Sequence, residues 1–350
     1  MRGLKWPTIF PASQTHRGVA ELAVRILQGD CRDVLKTLPD ESVHCVVTSP
    51  PYWGLRDYGV AGQIGLEDTP VEYIAGMVEV FREVRRVLRS DSTAWVNMGD
   101  SYATVGGAST PQMGEQFKDR QRGQEVVCRS KRMGRGAGRW GGGNNPAAGL
   151  LKPKDLCGTP WRLAFALQDD GWWLRQDIIW AKPNPMPESV RDRCTKAHEY
   201  LFLLAKSERY YYDAEAIQEA ASPASQTRYE SGFSSYSGGS METGGQTRGD
   251  NSKVVEWTGT RNKRSVWTVT TQPFKEAHFA TFPPDLIEPC ILAGCPEGGT
   301  VLDPFGGAGT TGLVADRHGR DAILIELNPE YAEMARRRIF NDAPLFAEVR

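Results

Sequence analysis

TVLDPFGGAGTTGLVADRHGRDAILIELN, residues 300–328, alternates the two signatures of an α/β chain. TVLDPF (300–305) is an apolar run closing on an acid and a proline, the pattern of a buried strand and its exit turn. GTTGLVADRHG (309–319) has helical spacing between glycines, and DAILIELN (321–328) is a second buried strand ending in an acid. Strand, helix and strand at this spacing predict a parallel βαβ unit.

The same alternation extends in both directions. PEYAEMARRRI (329–339) reads as a following helix, and FPPDLIEPCILAG (282–294) as a preceding one with Pro near its start and Gly at its end. VRILQGD (24–30) is a strand ending in a polar turn, and CRDVLKTLP (31–39) a short helix stopped by Pro39. SVHCVVTSPPY (42–52) is a buried strand running into a Pro-Pro turn. From Pro70 to Leu88 the spacing is helical, with Val71, Ile74, Val78, Phe81, Val84 and Leu88 as the apolar stripe. TAWVNMGDSY (93–102) is a strand with its exit loop. TPWRLAFALQDDGWWLRQDIIWAKPN (159–184) reads as helix, Gly turn and strand, and HEYLFLLAKSERYYYD (198–213) as two short strands. The predicted fold class is α/β, a doubly wound, mostly parallel sheet. Ligands of such sheets bind beyond the carboxyl ends of the strands.

Composition bounds the partners. The 350 residues carry a formal net charge of −1 and are 40% hydrophobic, enough for one large α/β domain with insertions or for two domains. No apolar run is long enough to span a membrane, and the N-terminus does not read as a signal peptide. Seven cysteines without a C-x-x-C pair suggest neither a disulfide framework nor a zinc site, so no metal is expected and a reducing cytoplasm fits. A near-neutral whole neither supports nor excludes nucleic acid. Shifts in composition divide the chain into an arm (1–20), a regular segment (21–104), a Gly/Arg-rich basic insertion (105–155), a regular segment (156–212), a Ser/Gly/Thr-rich stretch (213–265) and a last regular segment (266–341).

Two strand ends carry chemistry. In the first, Gly307, Gly309 and Gly312 make a formal G-x-G-x-x-G, which alone is weak. No Lys-Ser/Thr follows, against a P-loop. Asp303 immediately before the glycines would repel the pyrophosphate of a nicotinamide cofactor and attract a cation. S-adenosylmethionine, with its sulfonium and ammonium, suits that acid. Glu326 at the next strand end can accept both hydrogens of a ribose diol. The competing reading makes both acids plain strand-end caps.

In the second, Thr48-Ser49-Pro50-Pro51-Tyr52, two prolines fix the backbone and leave carbonyls without neighbouring donors. If the Ser49 hydroxyl and the Pro50 carbonyl each accept one N–H of a nucleobase amino group, the nitrogen can turn pyramidal and attack a methyl in line. Tyr52 could stack on the base. No strong general base is evident; the proton leaves to water or to an acid such as Asp57 or Asp100. A rigid turn with an incidental tyrosine is the alternative.

Together, TSPPYWGLRDYG (48–59) followed by DPFGGAGTTG (303–312) resembles the β-class amino-methyltransferases of bacterial and phage DNA. QGD, WVNMGDSY, IIWAKPNPMPES (178–189), HEYLFLLAKS (198–207) and AHFATFPPDLIEPCI (277–291) are similar to further family segments, and the likeness covers about residues 24–104, 156–212 and 265–340. It implies a circularly permuted Rossmann-like methyltransferase fold in which VRILQGD lies beside the C-terminal strands. It implies S-adenosylmethionine as cofactor, held by Asp30 near its adenine, by Asp303, Pro304, Phe305, Gly307, Gly309, Thr310, Glu326 and Asn328, and by a closing segment with His278, Phe279 and Phe282. It implies Ser49, Pro50, Pro51 and Tyr52 as the catalytic turn, with Trp53 helping to hold a flipped base in double-stranded DNA. Ser at the head of the Pro-Pro-Tyr motif is more typical of cytosine-N4 than of adenine-N6 enzymes, and both stay open.

The basic run Lys118, Arg120, Arg122, Arg129, Lys131, Arg132, Arg135 and Arg139 suits a strap over phosphates or a solvated loop. The stretch 213–265, with Arg261, Lys263 and Arg264 near its end, sits where the family keeps its recognition region. Pro289-Cys290 superficially matches the Pro-Cys of cytosine-C5 enzymes, but its place among Leu286, Ile287 and Ile291 reads as core. A DNA-binding protein with a vestigial fold and a nicotinamide oxidoreductase are the remaining alternatives. A partner endonuclease and a homodimer are compatible with the sequence, which specifies neither.

Overall fold

A computed structural model describes residues 23–55, 59–105, 125–128, 151–152, 154–230, 258–272, 281–342 and 348–349. In chain order these form β1 (Ala23–Gln28), α1 (Cys31–Thr37), β2 (Val43–Thr48), α2 (Pro70–Val87), β3 (Leu88–Met98), β4 (Tyr102–Val105) and β5 (Glu125–Cys128). Next come α3 (Thr159–Asp169), β6 (Trp173–Ala181), β7 (His198–Ala205), β8 (Glu219–Ala220), α4 (Pro223–Glu230), β9 (Thr260–Arg261) and β10 (Val266–Thr268). The C-terminal part holds α5 (Pro284–Gly294), β11 (Thr300–Asp303), α6 (Thr310–Arg317), β12 (Asp321–Glu326), α7 (Pro329–Asp342) and β13 (Glu348–Val349).

One sheet of nine strands runs β10-β6-β7-β3-β2-β11-β12-β1-β13; β4 with β5 and β8 with β9 make two small ones. Every ladder of the large sheet is parallel except those of β7, which runs antiparallel to β3 and β6. β1 pairs with β12, Ile26 opposite Leu324, so the strand VRILQGD lies beside the C-terminal strands. Each face buries its own core. Leu35, Met77, Val80, Phe81, Val84, Leu163 and Trp172 pack on one side, and Leu286, Ile287, Ile291, Leu313, Val314 and Ile339 on the other. Helices on both faces make the sheet doubly wound, as its near-continuous apolar strands require.

Local chemistry starts the helices where it was expected. Thr69 caps α2 in a reciprocal box, its hydroxyl accepting from Glu72 N at 3.2 Å while Glu72 Oε2 accepts from Thr69 N at 3.0 Å. Two expectations need correction. The buried face of α2 is Tyr73, Met77, Val80, Phe81, Val84 and Val87, while Val71 is 54% exposed and Ile74 and Val78 lie only partly buried on its flank. Residues 198–213 form one strand: Ser207 Oγ closes a turn on Arg209 O at 2.6 Å, and beyond it Tyr211 N donates to Asp91 O and Asp213 N to Ala293 O. The second half therefore gives single N–H groups to β3 and to the end of α5 and forms no ladder. Among the described residues no helix is long and apolar enough to cross a membrane.

Candidate active site

β2 and β11 are adjacent and parallel, Cys45 opposite Val301 and Val46 opposite Leu302, so their exit turns leave the same edge of the sheet. Thr48 Oγ1, the last side chain of β2, donates to Asp303 Oδ1, the last of β11, at 2.7 Å. The Ser-Pro-Pro-Tyr turn and the glycine turn, far apart in sequence, thus face each other across one cavity of about 890 Å³. Ser49, Pro50, Pro51 and Tyr52 line one wall; Asp30, Phe282, Asp303, Pro304, Phe305, Gly307, Thr310, Glu326 and Asn328 line the other.

On the glycine-turn wall, Asp303 does not have the open carboxylate that the sequence suggested. It is 1% exposed, and its oxygens accept from Thr48 Oγ1, from Thr311 Oγ1 at 2.7 Å and from Phe305 N at 3.0 Å. Burial pushes its pKa to about 6 against the pull of those donors. Asp303 therefore clamps β2, β11 and α6 together at the edge of the cavity. Glu326 accepts from Gly307 N at 2.7 Å and from Asn328 N at 2.8 Å; burial raises its pKa, with the charge of Asp303 adding. Two oxygens with one backbone donor each keep lone pairs free for a diol.

Gly309 is not a lining residue. Its φ of 76° begins α6, and a Cβ there would meet Ala335 Cβ at 2.9 Å, so this glycine lets α6 pack on α7. Arg338 on α7 reaches back behind the turn, donating to Ala308 O at 3.0 Å and to Thr310 Oγ1 at 2.9 Å. Asp30 caps α1, accepting from Arg32 N at 2.9 Å, and the Arg32 guanidinium beside it holds its carboxyl below the usual range.

The opposite wall contains a network that the sequence reading did not assign. Tyr52 Oη donates to Glu199 Oε2 at 2.8 Å, and Glu199 Oε1 pairs with the Lys182 ammonium, which lies 4.2 Å from the Trp180 ring centre. Burial first, then the Glu199 charge, pushes the Tyr52 phenol well up, while the Ser49 hydroxyl pulls the other way. Gly99 makes room for this arrangement: a Cβ would meet the Tyr52 ring at 2.8 Å and Glu199 at 3.2 Å. Tyr73 Oη donates to Pro51 O at 2.8 Å, so that carbonyl is taken; among the described residues nothing donates to Pro50 O. Asp100 also lines the cavity; it is buried and accepts from Ser101 N, Gly158 N and Thr159 N, fastening the start of α3.

Trp53 is corrected outright. It is 3% exposed, packed in the core beneath α2, with its indole N–H on Glu67 O at 2.9 Å, and it does not line the cavity. Arg261 and Arg264 both bond Glu219 Oε1, at 2.9 and 2.6 Å, and the Lys263 ammonium lies 5.0 Å from the Trp267 ring centre. Cys290 is fully buried inside α5, away from the cavity, as a core cysteine should be. Asp57, His278, Phe279 and the run Lys118, Arg120, Arg122, Arg129, Lys131, Arg132, Arg135 and Arg139 lie outside the described residues.

The comparisons with known proteins agree with this geometry. The N6/N4 methyltransferase family model, described as DNA methylase, matches residues 43–337, and the chain belongs to that family. It is 45% identical over 315 residues to the type II methyltransferase M.SmaI of Serratia marcescens, covering 90% of each chain. It is 45% identical over 314 residues to M.Cfr9I of Citrobacter freundii, covering 90% of this chain and 87% of that one. The solved structure of the cytosine-N4-specific PvuII DNA methyltransferase shares the fold, with a TM-score of 0.56 at 19% identity over 94% of this chain and 95% of that one.

Proposed function

We propose that this protein transfers a methyl group from S-adenosylmethionine to the exocyclic N4 of a cytosine flipped out of double-stranded DNA. The observation that carries the reading is the Thr48–Asp303 seam, which sets the double-proline turn against the glycine turn across one cavity. When bound, S-adenosylmethionine supplies an electrophilic methyl on a sulfonium. Glu326 would hold its ribose, Asp30 the adenine end, and Phe305, Asn328 and Phe282 the surrounding wall, all of which line the cavity.

The chain's own work is positioning. Ser49 Oγ and Pro50 O accept the two N–H groups of the amino acceptor, so that its lone pair leaves conjugation with the ring and points at the methyl. The Tyr52 ring, anchored through Glu199, forms the surface on which the base rests. The proton of the methylated nitrogen leaves after transfer, to water or to a nearby acid such as Asp57 or Asp100, the latter lining the cavity. Serine at the head of the Pro-Pro-Tyr turn favours cytosine. The basic run 118–139 would neutralise phosphates, and similarity to type II methyltransferases suggests a role paired with an endonuclease.

Incubation with plasmid DNA and methyl-labelled S-adenosylmethionine, followed by nucleoside analysis, is expected to place label on N4 of cytosine. Label on N6 of adenine would move the target base. Label on a ring carbon, or on no DNA tried, would end the reading.

A further inference from the structure

The wall that faces the amino acceptor buries a cation with nothing to bind. Lys196, just before β7, lines the cavity; its Nζ is shut off from solvent and has no hydrogen-bond acceptor among the described residues. The two other buried side-chain polar atoms without partners among the described residues, Arg85 Nε and Trp172 Nε1, belong to residues that do not line the cavity. Three carboxylates stand close enough to act on Lys196: Asp100, Glu199 and Glu188. All are already engaged, Asp100 with three backbone N–H groups, Glu199 with Tyr52 and Lys182, and Glu188 with Arg193. Lys182 has taken the ion pair and Lys196 is left over. Burial accordingly pushes its pKa down, against the opposing pull of Asp100, Glu199 and Glu188. A desolvated ammonium without an acceptor destabilises the fold, so a partner that arrives in the cavity would relieve a standing cost.

We propose that Lys196 reads the target base, its ammonium donating to the ring nitrogen next to the amino group that is methylated. This rests on the amino-methyltransferase reading. Ser49 and Pro50 accept from the amino group; a donor beside them completes recognition of an edge that presents a donor and then an acceptor. Cytosine and adenine present that order on their Watson–Crick edges. Thymine and guanine carry a hydrogen on the corresponding ring nitrogen and would set N–H against ammonium. The rejection is a penalty on an unpaired buried donor, the stronger kind of discrimination. Lys196 thus selects the class of base, while the surrounding sequence is read elsewhere.

Labelling by the wild-type protein is measured first, and failure there removes the parent reading. With wild-type transfer established, Lys196→Met, which keeps an unbranched chain and drops the charge, is compared in three measurements on the full chain. Its melting temperature without DNA should equal or exceed that of the wild type, because an unsatisfied ammonium is gone. Its affinity for S-adenosylmethionine by calorimetry should stay within about twofold, since no cofactor-wall contact changes. Its single-turnover transfer rate should fall by roughly 10- to 100-fold, the worth of one charge-assisted hydrogen bond. After the modified base has been mapped, a duplex in which C–H replaces its neighbouring ring nitrogen should slow the wild type to a similar degree and Lys196→Met by less than about threefold. A variant that melts earlier or loses cofactor affinity would show a structural lysine and overturn the proposal. So would a transfer rate within about threefold of wild type. Wild-type indifference to the ring substitution overturns it without any variant.

Discussion

Asp303 and Glu326 on one wall of the cavity and Glu199 on the facing wall are held in opposite ways. On the glycine-turn wall, Asp303 and Glu326 are fixed by neutral donors: the N–H groups of Phe305, Gly307 and Asn328 and the hydroxyls of Thr48 and Thr311. On the facing wall, Glu199 is held by two side chains on other segments, Tyr52 and Lys182, and Lys196 stands beside them unsatisfied. Backbone donors cannot rotate away and the two hydroxyls are fully buried, so the first wall is a preset mould. Side-chain donors can exchange partners, so the second can re-pair around whatever enters. The difference teaches that cofactor affinity and chemical rate should be separable by mutation, wall by wall.

The largest effect that would test this division is Ser49→Ala. Single-turnover label transfer should fall about 100- to 1,000-fold, as for loss of one positioned polar group at a reacting centre, with cofactor affinity by calorimetry unmoved. Equal losses of rate and affinity would merge the walls. Glu326→Ala is the mirror experiment. The dissociation constant for S-adenosylmethionine should rise roughly 10- to 100-fold, while the rate at saturating cofactor stays within a few-fold. A collapse of the saturated rate would show that Glu326 serves the chemistry too. Glu199→Gln keeps an acceptor for Tyr52 but removes the charge that Lys182 pairs with, and about a tenfold loss of rate with unchanged cofactor affinity is expected.

The smallest effect is a pH dependence of stability at Asp303. Its folded pKa, raised to about 6 from 3.8, lies above its unfolded value, so the native state binds the proton more tightly. Its contribution is most favourable below 3.8 and declines as pH rises through about 6. Denaturant midpoints of wild type minus Asp303→Asn, which cannot ionise, should fall across that window and level off above it. A difference that is flat with pH would mean that folding leaves the pKa of Asp303 unchanged.

Sequence made the seam legible and hid the network. DPFGGAGTTG and TSPPY declare themselves because strand, turn and first helical residues are contiguous, so each local pattern already contains its chemistry. Lys182, Lys196 and Glu199 do not, because they meet only through the antiparallel register of β6 and β7, Ala181 opposite His198 and Trp180 opposite Glu199. A lysine just after one apolar strand and a glutamate near the start of the next were the signal, too general to be decisive. Trp53 was misassigned because adjacency to Tyr52 says nothing about direction, and its indole turns inward to Glu67. The ion pairs of Arg261 and Arg264 were not legible because the pairing of β8 with β9, which brings Glu219 to them, leaves no periodic trace in two-residue strands.

Thr48 and Asp303 are 255 positions apart along the chain, yet their strands are neighbours in the middle of the sheet. On the ribosome, β2 emerges well before β11. While the residues between them are made, an apolar strand waits with one flank unclaimed, the condition in which nascent chains aggregate or need a chaperone's cover. The order of segments that lets the glycine turn meet the proline turn also postpones assembly of the catalytic cleft until the 255 positions that separate them have been made.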